Sequence, residues 1–149
     1  MLTRIIYASV ATKAFSTEEL QSLTDNCGLN NLRAQTTGVL FYNGQGFLQA
    51  LEGDDADLHV LLARLKNDTR HGDFKLIDHS PIAARQWPNW SLGYASSEGY
   101  NGVVADRYAA GDGRIDLQSL TAKQAFSMLT SLRIIRGPAA EADDLISQL

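Results

Sequence analysis

Tyr7 and Gln49 are the residues of this sequence whose chemistry packing alone uses least. A phenol donates a hydrogen bond and can be oxidised, and a primary amide both donates and accepts. On a strand, Phe47, Gln49 and Leu51 share one face while Leu48 and Ala50 share the other. With both faces apolar, a central glutamine is at least half buried and must find partners. Taken alone, Gln49 fits a glutamine at a sheet surface, and Tyr7 a core tyrosine whose hydroxyl is satisfied by backbone. On neighbouring strands the two side chains can instead meet.

Two further groups carry spare polar chemistry. Asn30-Asn31 follows the apolar stripe of a first helix, where one asparagine serves as a C-cap and the second keeps a free amide. Arg64, Asp68, Arg70 and His71 surround the end of a second helix. Basic residues there complement the helix dipole, and together the four can also hold a phosphate or polyol. The three histidines show no metal-ligand spacing, and Cys27 has no cysteine partner. The chain contains no P-loop, no G-x-G-x-x-G and no nucleophile elbow.

The elements that must position these residues are legible in the pattern. Residues 2–9 alternate as a strand with Ile5, Tyr7 and Ser9 on one face. Ser16-Thr-Glu-Glu19 is a capping box, and Leu20, Leu23 and Cys27 follow at helical spacing, predicting a helix over about 17–29. Residues 36–42 and 46–52 are two strands joined through Asn43-Gly44, a strong hairpin signal. Asp54 and Asp55 offer N-caps to a second helix with a stripe of Leu58, Leu61, Leu62 and Leu65. Residues 74–79 and about 89–95 are two more strands, with Trp90 and Leu92 on one face of the latter.

The order β-α-β-β-α-β plus one strand predicts a ferredoxin-like α+β fold, an antiparallel-rich sheet with both helices on one face. A Gly-rich stretch near 99–113 precedes a helix over about 119–135 carrying Leu120, Phe126, Leu129 and Leu132. Gly137-Pro138 is expected to stop it, with 139–149 long enough for a last short helix. We therefore expect a core domain over 1–97 and a linker with C-terminal helices over 98–149, packing on the open sheet face or in an oligomer interface.

Composition limits the function classes. The 149 residues are 44% hydrophobic and 20% charged, ordinary for one globular domain. A formal charge of −4 and thirteen scattered Lys and Arg argue against nucleic acid as a partner. One cysteine, no apolar run near the roughly 20 residues of a membrane span, and no signal-peptide pattern predict a cytoplasmic protein away from the membrane.

Five blocks at fixed spacing then make this sequence resemble the BLUF family, blue-light sensors that use a flavin. They are Arg-Ile-Ile-Tyr7; Asn30-Asn31 with Thr-Thr-Gly-Val-Leu-Phe-Tyr; Phe-Leu-Gln49-Ala-Leu-Glu-Gly; Asp68-x-Arg70-His71; and Arg-Gln-Trp-Pro-Asn-Trp90-Ser-Leu92. The resemblance implies non-covalent FAD, with FMN or riboflavin as alternatives, its ring between the two helices and the sheet. It makes Tyr7 the photo-oxidised donor and Gln49 the hydrogen-bond switch. It places Asn31 on the ring's carbonyl and imide edge with Asn30 nearby, and Arg64, Asp68, Arg70 and His71 toward the ribityl and phosphate end. Trp90 and Leu92 become the signal relay.

The resemblance further implies no enzymatic turnover, a homo-oligomer, and output through a separate signalling protein. Two residues depart from the family pattern: Leu92 replaces the usual Met, and Cys27 stands where several relatives carry Ser. The rival readings are a small acylphosphatase-type enzyme and a light-insensitive ligand-binding module. The first strand lacks the Arg and Gly-rich phosphate loop that the enzyme needs.

Overall fold

All six residues of β2 (Thr37–Tyr42) are buried, as are the first eight of β3 (Gly46–Asp54). Strands with no exposed face lie inside a sheet covered on both sides. The computed structural model describes residues 1–95, 116–132 and 134–136. The Gly-rich stretch, Gly137-Pro138, the expected final helix and the expected boundary at 97/98 lie outside them.

Around this hairpin the sheet runs β4-β1-β3-β2-β5-β6. β1 is Leu2–Ala11, β4 is His71–Pro81, β5 is Gly93–Ala95 and β6 is Ile134–Arg136. β1 pairs antiparallel with β3 and β4, β2 antiparallel with β3, and β5 parallel with β2. Helix α1 (Thr17–Arg33) connects β1 to β2 across β3, and α2 (Asp55–Lys66) connects β3 to β4 across β1. These two interleaved β-α-β units are the ferredoxin-like arrangement expected from the element order.

The hairpin chemistry is as read. Gly44 takes φ +93°, and Asn43 Oδ1 accepts from the N–H groups of Gln45 and Gly46 at 3.0 and 2.9 Å. Gly38 is required by proximity, since a Cβ there would lie 2.1 Å from the Ala50 carbonyl oxygen. Ser16 and Glu19 form the capping box of α1, and Asp54 caps α2.

The helices sort onto two faces. Leu20 of α1 and Leu58 and Leu62 of α2 pack with Ile5, Leu40, Leu51 and Leu92. On the opposite face, α3 (Ala122–Ser131) places Ala125, Met128 and Leu129 against Ile6, Val39, Phe41, Leu48 and Ala50. Arg4 and Glu52 cross that apolar layer as an ion pair at 2.8 Å, with Glu52 fully buried. The Glu52 carboxylate also accepts from the backbone N–H of Gln86 and Trp87 at 3.0 and 2.9 Å. The Arg4 guanidinium lies 4.5 Å from the centre of the Phe126 ring.

Three expectations need correcting. Helix α1 continues to Arg33 and is capped by Ala34, so Asn30 and Asn31 stand in its last turns rather than beyond its end. The helix expected over 119–135 is shorter, with a 3-10 turn at Leu117–Ser119 before α3 and a further strand, β6, after it. Ile134 and Arg136 pair with Ala95 and Tyr94 of β5, and that edge pairing wins over helix continuation. The strand expected over 89–95 is regular only at Gly93–Ala95.

Candidate functional site

The register of β1 and β3 sets Tyr7 directly opposite Gln49, and β2 sets Leu40 on the other side of Gln49. Directly opposed residues share a face, so the phenol and the amide meet beneath α1 and α2. Tyr7 Oη donates a short hydrogen bond to Gln49 Oε1. The two residues are 3% and 4% exposed, which removes water as a competing partner. Burial, reinforced by the nearby Cys27 and Asp68 and opposed by Arg70, raises the Tyr7 pKa far above the usual phenol range. In the resting protein the phenol therefore holds its proton and acts as donor. Gln49 Nε2 donates to no protein acceptor among the described residues and borders a cavity instead.

Tyr7 is aimed by its strand and held by aromatic neighbours. The β1–β4 register shifts on either side of it, between Ile6 and Tyr7 and between Ala8 and Val10. Such bulges redirect side chains beside functional sites. The phenol ring stacks on Phe74 at 4.5 Å and 22° and meets the His71 ring edge-on at 6.0 Å. His71 Nε2 donates to the Leu65 carbonyl at 2.5 Å, and Nδ1 bonds with Ser9 Oγ at 2.6 Å. The ring thereby fastens β1 to the end of α2.

Two adjoining cavities open from this pair. The smaller, about 40 Å³, is bounded by Tyr7, Gln49, Leu40, His71 and Leu92. The larger, about 150 Å³, is bounded by Asn30, Asn31, Gln49, Leu61 and Arg64. Cys27, Leu65, Asp68 and Arg70 border both. Asn31 is buried, and its Nδ2 donates to the Ser91 carbonyl at 2.8 Å, joining α1 to the segment before β5. The same segment accepts at Trp90 O from Gly38 N–H at 3.1 Å.

Charge is concentrated at the open end. Arg70 Nε donates to Asp68 Oδ1 at 2.9 Å, and this bonding holds the Asp68 carboxyl below its usual range. Arg64, on α2, is exposed and makes no ion pair among the described residues, so its guanidinium is open to an anion. Burial raises the Cys27 pKa, leaving a neutral thiol in the cavity wall.

The fold thus gathers Tyr7, Asn30, Asn31, Gln49, Arg64, Asp68, Arg70, His71 and Leu92 around one cleft. Trp90 does not line it. Leu92 belongs to the core cluster under α1 and α2, whereas Trp90 Cγ lies 3.3 Å from a Cβ built on Gly93, on the side occupied by Ile134. The regular alternation assumed for 89–95 fails because the chain before Gly93 bends instead of continuing as a strand. Phe74 and the Ser91 carbonyl escaped the sequence reading. An aromatic in the fourth strand was the signal for Phe74, but the bulges hide its register with Tyr7.

This site suits a flat heterocycle with a polar rim. Leu40, Leu61, Leu65 and Leu92 supply apolar walls, and the Asn31 and Gln49 amides offer donors and acceptors at the rim. Arg64 stands free for a phosphate. A flavin has that construction, and the residues present fit it. Fold and cleft together define a small α+β module with a cleft suited to a cofactor. The chain belongs to the BLUF family, sensors of blue light using FAD, whose profile matches residues 2–93.

Related proteins agree. The chain is 32% identical over 98 residues to a photoactivated adenylate cyclase subunit beta of Euglena longa, covering 65% of this chain and 11% of that protein. It is 28% identical over 83 residues to the blue light- and temperature-regulated antirepressor BluF of Escherichia coli K12, covering 54% of this chain and 21% of that protein. The chain thus spans only about a tenth to a fifth of the length of these relatives. The dark-state structure of BlrB, a BLUF protein, superposes with TM-score 0.70 at 27% identity, covering 87% of this chain and 92% of that one. Family membership favours neither the acylphosphatase nor the light-insensitive reading.

Proposed function

We propose that this chain is a blue-light switch with FAD in the cleft, and that its signal is a reorganised hydrogen bond at Gln49. The carrying observation is the buried Tyr7–Gln49 hydrogen bond at the cavity edge. A flavin held there supplies a ring that absorbs blue light and, when excited, accepts an electron. A phenol that has lost an electron is strongly acidic, and Gln49 Oε1 is the acceptor already in place for the Tyr7 proton. When the electron and the proton return to Tyr7, Gln49 can be left with the positions of its donor and acceptor ends exchanged, because Nε2 is not tied to protein among the described residues. No covalent bond is made, and the change is a bistable hydrogen-bond pattern.

Asn31 and Gln49 hold the ring's polar edge in this reading, with Asn30 at the rim. Arg64 faces the phosphate end, where its open guanidinium favours FAD or FMN over riboflavin. Asp68 orients Arg70, and His71 keeps Tyr7 in place. Leu92, against Gln49, is the first responder on the relay, and Trp90 acts behind it through the backbone it shares with Ser91.

The chain turns over no substrate in this reading, stays in the cytoplasm, and passes its signal to a separate protein. Among the described residues no helix is long and apolar enough to cross a membrane. Self-association belongs to the same reading, supported by β4, an eleven-residue strand at the edge of the described sheet. The test is an absorption spectrum of the purified protein before and after blue light. A yellow protein whose flavin band moves reversibly to the red is expected. A colourless protein, or lasting bleaching in air, overturns the reading.

A further inference from the structure

Asp55, His59 and His79 converge on the outer side of the contact between α2 and β4. Asp55 and His59 stand one turn apart on α2, so they share a face. His79 pairs with Ile5 across β1 and β4, and Ile5 packs beneath the helices with Leu58 and Leu62. Opposed residues point the same way, so His79 rises toward the first turn of α2. There its Nε2 lies 2.9 Å from Asp55 Oδ1, while His59 Nε2 lies 3.2 Å from Asp55 Oδ2. The two imidazoles meet edge to face at 5.3 Å, and one ligand atom from each of the three residues lies within 4.8 Å of the others.

We propose that this triad binds a divalent first-row transition cation through the Asp55 carboxylate and the two histidine Nε2 atoms. The donor set decides the class of cation. Two imidazoles and one carboxylate suit zinc and its neighbours, whereas magnesium and calcium prefer oxygen alone. Zinc takes nitrogen and oxygen ligands at about 2.0–2.2 Å, which puts tetrahedral donors roughly 3.3–3.5 Å apart. The two carboxylate–imidazole separations are already close to that, one to each oxygen of Asp55, and side-chain rotation must draw one oxygen and both nitrogens around the cation. The side chains are 38%, 60% and 36% exposed, which leaves room for that rotation and for water to complete the shell.

His59 and His79 are twenty residues apart on a helix and a strand, which is why their spacing shows no ligand motif. The cation would fasten the first turn of α2 to β4. The same helix carries Leu61, Arg64 and Leu65, which line the larger cavity, so the clamp steadies one wall of the cleft.

The experiment is a calorimetric titration of the tag-free full chain with zinc chloride alone, paired with thermal melts with and without zinc. One zinc per chain and a melting temperature raised by zinc and restored by EDTA are expected. Losing an outer-shell partner of a metal typically costs about 10–100-fold in affinity, so His59→Ala and His79→Ala should each lose at least that. Their metal-free melts should match the parent's, which shows that they fold. Cys27→Ser should bind like the parent. No saturable binding by the parent, parent-like affinity in either histidine variant, or loss of binding in Cys27→Ser overturns the proposal.

Discussion

The sheet face under α3 and the face under α1 and α2 are built from alternate residues of the same strands, yet their interiors differ in kind. Under α3, Ile6, Val39, Phe41, Leu48 and Ala50 meet Met128 and Leu129, and all are essentially unexposed. The charged pair there, Arg4 with Glu52, is fully engaged. Under α1 and α2, the strands offer Tyr7 and Gln49, and the helices stand off far enough to leave two cavities. A packed interior has one arrangement, and a polar pair beside unfilled space has more than one. Stability is therefore concentrated on the first face and switching on the second.

Breaking the packed face should produce the largest effect. Glu52→Ala strands the Arg4 guanidinium, 14% exposed, together with two backbone N–H groups. Removing one partner of a buried pair costs about 3–5 kcal/mol, much of a small domain's stability. Urea unfolding of parent and variant measures it. A loss below about 1 kcal/mol would mean that this face is not the stable one.

On the cleft face, Gln49→Leu should separate the two properties. The variant should keep its flavin and lose the light-driven red shift entirely, while stability changes by no more than about 1–3 kcal/mol for the unpaired Tyr7 hydroxyl. Dark and illuminated spectra beside urea curves check this. A normal shift would remove Gln49 from the switch.

The contrast also explains what could be read from the chain. The packed face follows the two-residue period, so both central strands, the hairpin at Asn43-Gly44 and the caps at Ser16 and Asp54 were visible directly. Tyr7 and Gln49 were visible as polar residues on apolar strands, and regular register made them neighbours. The failures came where the chain leaves regular geometry. An asparagine pair resembles a cap and so points beyond α1, yet Asn31 is an internal helical residue reaching Ser91 O. Two-residue spacing puts Trp90 and Leu92 on one face of a regular strand, and the bend before Gly93 separates them. Bulges and bends carry no periodic signature, and here they lie beside the site.

Asn31→Ala sharpens the comparison from the helix side. It removes an amide from the cavity rim together with its buried hydrogen bond to the Ser91 carbonyl, a cost of roughly 1–3 kcal/mol. Flavin retention should fall about 5- to 150-fold, the same energy expressed as affinity. Equilibrium dialysis of the purified variant against free flavin measures the change. Parent-like affinity would leave Asn31 as a link between α1 and the segment before β5 alone.

The smallest effect is expected at Leu92, where the two faces come closest to communicating. Leu92 is fully buried and borders the cavity with Tyr7 and Gln49, while Gly93, next in sequence, meets Ile134 on the other face. A leucine senses the glutamine only through packing. Leu92→Met nearly conserves volume, so it should cost under about 1.5 kcal/mol, and it adds a thioether that accepts weakly from an amide. The size of the light-induced shift should stay the same, since Gln49 sets it. The rate of dark recovery should change, because sulfur favours the orientation of the amide that turns Nε2 toward it. The decay of the red-shifted band after a blue pulse, at one temperature in parent and variant, reads this out. Identical decays would mean that Gln49 does not act through residue 92, and the route to the α3 face would then run along β3 to Glu52 and Arg4.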